Sequence, residues 1–276
     1  MTDALFAWGG CSSRDRPYPA LPITLVLMRG PLALSAAGAA LLVGGYFYAG
    51  MWPESQIFGR TLIACDDPSE IALTYDDGPN DGHTERLLDI LARQKALATF
   101  FLIGRFARKQ PDLVRRIHAA GHTIGNHTWT HPRLIFQPPA RIREELSSTN
   151  ATLEDILGEP VHYFRPPYGA RRPAVLCIAR ELGLVPVQWN VMAFDWKPIP
   201  AEGLLQRMER GIARNQRHGR GSNLLLHDGG HTVIGVDRSR TIDATAALLE
   251  RWHGRARFVT VAQWSEHLDS RVRQSV

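Results

Sequence analysis

Lysine is nearly missing from this 276-residue chain, occurring at Lys95, Lys109 and Lys197; the rest of the basic side chains are arginine. No long block of like charge occurs either, so the net charge of +5 comes from dispersed groups. Dispersed charge of this kind argues against a nucleic-acid partner. Cysteine is scarce: Cys11, Cys65 and Cys177 show no C-x-x-C spacing, which excludes a zinc ribbon and a disulfide-dense scaffold. Also absent are a P-loop, a G-x-S-x-G elbow, an H-E-x-x-H helix and a dinucleotide fingerprint. What is present, 44% hydrophobic and 21% charged residues, excludes disorder and a polytopic membrane protein and is ample for one sizeable core.

Charge disappears altogether from Pro31 to Gly50. Residues 1–29 read as a polar cytoplasmic tail. A helix over Gly30–Gly50 would rise about 30 Å, the thickness of a bilayer's hydrocarbon core. Arg14, Arg16 and Arg29 precede it and only Arg60 follows closely, which places the N-terminus in the cytoplasm. Tyr46, Phe47, Tyr48 and Trp52 cluster at the far end, where an aromatic belt would sit. Residues 30–50 are therefore expected to be a transmembrane anchor or uncleaved signal; the small residues 35–40 keep a cleavable signal peptide as the alternative. The expected localisation is the cell membrane, single-pass, with the main domain on the extracytoplasmic side. A disulfide between Cys65 and Cys177 is permitted there.

After a connecting stretch at 51–69, strand and helix patterns alternate. Strands are expected at Ile71–Tyr75, Ala98–Ile103, Thr123–Gly125, Tyr163–Arg165, Pro186–Val191, Asn223–Leu226 and Phe258–Val261. Helices are expected at Glu85–Gln94, Asp112–Ala120, Ala140–Leu157, Pro173–Leu182, Ala201–Asn215 and Thr241–Trp252. This rhythm predicts an α/β domain over 70–276 with a mostly parallel sheet of about seven strands, doubly wound or closed into a barrel. Polar residues gather where strands end: Asp76-Asp77, His127, Arg165, Asp195-Trp196 and His227-Asp228. Ligand chemistry collects at that end of parallel sheets, and a barrel lets all five groups converge.

Within this set, His127 and His131 stand four apart, and a helical turn would face both imidazoles toward one metal ion. Of the adjacent pair Asp76-Asp77, one carboxylate can join them while the other stays free as a base. Two histidines and a carboxylate leave coordination positions open, as in catalytic rather than structural sites. His231 stands four after His227, but Gly229-Gly230 between them argues against a helix and leaves it outside the set. Arg207, Arg210, Arg214 and Arg217 fall at helical spacing and read as a solvated face.

Taken in order, Thr74-Tyr75-Asp76-Asp77-Gly78-Pro79, His127-Thr-Trp-Thr-His131, Arg165-Pro-Pro-Tyr-Gly169, Phe194-Asp195-Trp196 and Leu224-Leu-Leu-His-Asp228 resemble the five motifs of the polysaccharide deacetylases. These are the carbohydrate esterase family 4 enzymes that share the NodB homology domain; the resemblance covers roughly residues 70–265. It implies a distorted (β/α) barrel and metal-dependent hydrolysis that removes N-acetyl groups from amino sugars of an envelope or extracellular glycan. Position by position it implies Asp77, His127 and His131 as ligands of a divalent metal, zinc or alternatively cobalt, and Asp76 as general base. It further implies Arg165 as the residue orienting that base, Tyr168 as a backbone oxyanion donor, and His227 as general acid tuned by Asp195. Trp196 and Leu225 would wall the acetyl methyl. Met192 stands where a further Asp is common in the fourth motif, and Tyr75 replaces a common Phe. A lipid-linked sugar, an O-acetyl ester or a catalytically silent glycan-binding relative are the competing readings.

Overall fold

The computed structural model describes residues 41–265. The chain divides into two compact units, Met1–Gly45 and Tyr46–Val276. Of the first, residues 41–45 are described; they are helical and exposed. The helix (α1) covers residues 41–51. Of the expected membrane span, residues 30–40 lie outside the described residues. Among the described residues no helix is long and apolar enough to cross a membrane.

In the second unit, β1 (Glu70–Gly78) is buried at every position, as befits a parallel strand covered on both faces. The unit continues through α2 (His83–Arg93), β2 (Thr99–Leu102), α3 (Gly104–Ala107), α4 (Pro111–Ala119) and β3 (Thr123–Asn126). Next come α5 (Pro139–Leu157), β4 (Tyr163–Phe164), α6 (Pro173–Glu181), β5 (Val185–Pro186), β6 (Val191–Met192), α7 (Ala201–Arg217), β7 (Ser222–His227), α8 (Ser239–Arg251) and β8 (Arg257–Val259). Local chemistry explains the boundaries. Pro111, Pro139 and Pro173 open three helices, where a missing N–H costs nothing. Gly158 ends α5 in the left-handed conformation that closes helices most cheaply in glycine.

All pairings are parallel, and the strand order is β5-β4-β3-β2-β1-β7-β6, with β8 on β1. The end strands of that order are β5 and β6, yet residues 187–190 are all that separates them in the chain. The five Cα–Cα steps from Pro186 to Val191 span at most about 18 Å, less than the roughly 29 Å across seven strands of a flat sheet, so the order curls back on itself into a distorted barrel. The expected single strand Pro186–Val191 is thus two short pieces: β5 pairs with β4, β6 with β7. Seven strands become eight for this reason.

Period-two alternation then sorts the side chains. Ile71, Leu73, Tyr75, Phe100, Leu102, Leu224 and Leu226 join the helices in the main hydrophobic cluster. Ala72 and Phe101 belong to a second cluster with Val187, Val259, Val261 and Trp264. On that same inner side, toward the strand C-termini, come Thr74, Asp76, Asn223 and His227. The polar groups are therefore collected inside the barrel at one end.

Residues 51–69 pack onto this unit. The Leu62 N–H donates to Pro186 O and its carbonyl accepts from the Gln188 N–H, each at 2.8 Å. Arg171, fully buried, donates to the carbonyls of Trp52 (2.8 Å), Pro53 (3.2 Å), Ser55 (2.6 Å) and Gly169 (3.0 Å). Burial pulls its pKa down to about 10. Arg171→Ala strands these carbonyls and should cost about 3 kcal/mol. The check is a lower denaturation midpoint at unchanged slope; an unmoved midpoint would show that water replaces the guanidinium. Cys65 and Cys177 are both free, so the permitted disulfide is absent.

Candidate active site

Each expected site residue except Leu225 lies in, or at the strand end leading into, a loop that follows a strand. Leu225 is within β7, buried, opposite Met192 of β6. Asp76 and His227 are register partners on β1 and β7, so a carboxylate and an imidazole stand side by side at the barrel mouth.

Arg165, wholly buried, fixes Asp76 by donating to its Oδ1 at 2.9 Å and to the Thr74 hydroxyl at 2.7 Å. A second nitrogen donates to Gln188 O and Asn223 Oδ1. The guanidinium lies over the Phe101 ring at 4.3 Å. Burial lowers its pKa from the ordinary arginine value and Asp76 partly restores it. One arginine thus holds one carboxylate in one orientation.

Asp77, His127 and His131 form a buried cluster suited to a metal ion. Asp77 Oδ1 lies 3.5 Å from His127 Nε2 and 3.3 Å from His131 Nε2. Tetrahedral zinc bonds of about 2.0–2.1 Å separate neighbouring ligand atoms by roughly 3.3–3.4 Å, so the spacing fits. That same Oδ1 is buried with no hydrogen-bond partner, a cost of about 1–3 kcal/mol that a cation would remove. His127 Nδ1–H donates to Arg165 O at 2.8 Å, which leaves the Nε2 lone pair facing the cluster, as a ligand requires. Burial, then His127, lowers His131 to about 3, keeping it neutral. Burial opposes ionisation of Asp77, but His231 and the other imidazoles outweigh it and hold the carboxyl well below its usual range.

The histidine pair does not lie on a helix. Thr128 and His131 both have positive φ, and the rings meet at 4.9 Å through a loop. Asn126 Oδ1 accepts from the Thr128 N–H and the Thr128 hydroxyl from the His131 N–H. Buried Glu145 accepts from the N–H groups of Trp129 and Thr130. Asp77, Tyr168 and Phe194 are also left-handed. Among the described residues, five of the six non-glycine residues with positive φ are therefore in site loops or, for Asp77, at the strand end leading into one, Lys95 being the exception. Each costs of order 1 kcal/mol and persists only where surroundings dictate it.

His227 donates from Nδ1 to Asp195 Oδ1, and its backbone N–H donates to Oδ2, both at 2.8 Å. Thr241 also donates to Oδ2, at 3.0 Å. Burial disfavours the imidazolium, but the Asp195 charge and hydrogen bond, then Asp77 and Asp76, hold His227 up to about 9. Trp196, half exposed, stands edge-on to His227 with centroids 5.5 Å apart. Tyr168, in the loop after β4, lies 4.7 Å from the His131 ring.

Sequence reasoning missed Glu145 and His231. Glu145 had a signal: it sits between Ile142 and Leu146 on the buried stripe of α5, where an unpaired acid is costly. His231 had a signal too, its place four after His227, but Gly229-Gly230 argued against a helix, and it is the loop after β7 that brings it in without one. Its ring stacks on His131 at 4.5 Å. Its Nδ1 is 3.8 Å from Asp77 Oδ2, and the Tyr168 hydroxyl lies 3.5 Å from Nε2. Gly229 is what lets this loop pass, since a Cβ there would collide with the Asp77 carbonyl. Of the arginine row, Arg207 leans over Phe194 at 5.5 Å and Arg214 donates to Asn190 O; both are structural contacts.

Residues 64–187 match the family model described as Polysaccharide deacetylase. A chitooligosaccharide deacetylase of Azorhizobium caulinodans is 39% identical over 174 residues, 63% of this chain and 80% of that protein. A peptidoglycan-N-acetylglucosamine deacetylase of Bacillus cereus is 35% identical over 193 residues, 68% of each chain. Among solved structures, a family 4 acetyl xylan esterase from Clostridium thermocellum, in complex with a cobalt ion, superposes with a TM-score of 0.62 at 30% identity. That match covers 70% of this chain and 89% of the esterase.

Proposed function

Since the chain belongs to the polysaccharide deacetylase family and is a deacetylase hydrolase, we propose that it removes N-acetyl groups from amino sugars of an envelope or extracellular glycan, releasing acetate and free amine. The observation that carries this is the placing of Asp76 and His227 as register partners beside the Asp77–His127–His131 cluster. Hydrolysis of an amide needs a base for the incoming water and an acid for the departing nitrogen, and here one of each faces the same space.

Asp77, His127 and His131 would hold a divalent ion, zinc or cobalt, which supplies Lewis acidity toward the acetyl carbonyl and toward water. Asp76, aimed by Arg165, takes a proton from the attacking water. The carbonyl carbon becomes tetrahedral, and the Tyr168 N–H donates to its oxygen. His227 then protonates the amine nitrogen as the carbon–nitrogen bond breaks. Trp196 and Leu225 provide the apolar wall for the acetyl methyl. In this reading residues 30–50 anchor the chain and the catalytic unit lies outside the cytoplasmic membrane; the uncharged stretch and the arginines before it support that placement.

Acetate release from N-acetyl chito-oligosaccharides, peptidoglycan and acetylxylan, scored together with new primary amine, tests the reading. Amine should appear with the first or second substrate and match the acetate mole for mole. Acetate without amine, from acetylxylan alone, would overturn it in favour of an O-acetyl esterase.

A further inference from the structure

The catalytic unit's exposed apolar side chains are not spread evenly. Because the sheet is parallel, the loops after the strands all lie at one end, with the site. Phe136 (67% exposed), Tyr168, Trp196 and Val233 (57% exposed) belong to four of these loops. Among the described residues, the opposite end carries Val185 (38% exposed), at the start of β5, as its large exposed hydrophobic residue, and Ile57 lies in the stretch that leads from α1 to β1. An apolar group that clusters at one end of a domain marks a surface that meets something apolar.

The chain enters the unit on this same side. At the end of α1, the Gly50 carbonyl accepts from the Arg171 N–H at 2.9 Å, three residues beyond Tyr168. A Cβ at Gly50 would press on Arg171 O and on Ile135, which lies four residues beyond His131. Thus residues 46–52 sit against the two loops that present His131 and Tyr168. They add exposed Tyr46, Phe47, Tyr48 and Trp52 to the apolar end, and they continue directly from the uncharged stretch beginning at Pro31. Exposed charge in the strand-end connections is net positive, with Arg108, Lys109, Arg133 and Lys197 against Asp81 and Asp237, and Arg108 leans over Trp129 of the loop that carries His131. Attraction to anionic lipid therefore adds to apolar insertion and chain continuity at this end.

We infer that the site-bearing end of the catalytic unit lies against the lipid surface entered by residues 31–50, so that the site opens toward the bilayer and takes an N-acetylated sugar carried on a lipid. The substrate part rests on the deacetylase reading; the orientation does not. Phe136 and Val233 dip into the interface, Tyr48 and Trp52 flank the entry of the chain, and Trp196 and Tyr168 frame the opening. A lipid-linked sugar reaches such a site by lateral diffusion at high effective concentration, whereas a long soluble polymer meets a face turned away from it.

The test uses the full chain in phosphatidylethanolamine–phosphatidylglycerol vesicles, with Cys11, Cys65 and Cys177 replaced by Ser. Nitroxide labels are placed at Phe136→Cys and Val233→Cys, and at Glu159→Cys and Arg255→Cys of the opposite end. The first pair should collide with oxygen and be sheltered from an aqueous nickel chelate; the second pair should show the reverse. Equal access of the chelate to all four would overturn the orientation, as would sheltering that follows protein concentration rather than lipid, which would assign the face to a second copy. In the native-cysteine chain, Phe136→Glu with Val233→Glu should slow acetate release from a bilayer-borne N-acetylglucosaminyl lipid about tenfold and leave a soluble chito-oligosaccharide unaffected. Equal loss on both substrates would overturn the substrate assignment. No acetate from either substrate with the unaltered chain would refute the deacetylase reading itself, while the label pattern still decides the orientation.

Discussion

His227→Ala should lower kcat/KM for deacetylation by about a hundred- to ten-thousandfold, the usual worth of a positioned general acid. Asp195→Asn should cost less but move the pH profile. Free imidazole titrates near 6.5, whereas His227 is held up to about 9 against its burial, chiefly by Asp195. A bound dication offsets the contributions of Asp77 and Asp76, so the shift that survives in the loaded enzyme is the one due to Asp195. With His227 as the proposed acid, active when protonated, the alkaline limb of kcat/KM should belong to it, and Asp195→Asn should carry that limb to lower pH. A limb that stays in place would assign the proton to another group. The same pair bears on stability with a defined sign. A raised pKa contributes fully below the free value near 6.5, and the contribution is lost as pH climbs through about 9. Asp195→Asn should thus destabilise the protein at pH 6 more than at pH 10, measured by denaturant midpoints.

Removal of divalent metal by a chelator should abolish turnover, by about a thousandfold or more, and zinc or cobalt should restore it. The reason is geometric: two imidazoles and a carboxylate converge with spacings that suit tetrahedral coordination, and Asp77 Oδ1 has no other partner. His131→Ala should remove the capacity to bind cobalt, read from the metal's visible absorption, while leaving the denaturation midpoint of the metal-free protein unchanged or raised. Relief of the unpartnered buried Nδ1 of His131 gives that second sign. Full activity in metal-free protein would overturn the assignment. Weakening His131 indirectly should have a smaller effect of the same kind. Glu145→Gln keeps the size of the side chain but weakens its bonds to the Trp129 and Thr130 N–H groups; cobalt affinity should fall by about tenfold to a hundredfold.

Much of this protein is determined by local sequence. Amphipathic spacing with Pro starts and Gly stops placed α5 as Ala140–Leu157 against the observed Pro139–Leu157, because those signals act within a few residues. The same holds for the alternation along β1 and β7 that sends Asp76 and His227 inward. Runs of polar residues after strands were legible for a similar reason: parallel strands bring their C-terminal ends together whatever the loops do. What tertiary structure alone decided is of another kind. Pro186–Val191 reads as one strand, and only closure of the sheet breaks it between two partners. His127 and His131 converge by left-handed turns that Asn126 and Glu145 hold, not by the helix their spacing suggested. His231 joins Asp77 and His131 through a loop whose path is set by Gly229, Asn80 and Arg105, residues remote from it in sequence or without periodicity. Periodicity reports which face a residue takes on a regular element; where a loop goes depends on what its backbone meets on the other side of the fold.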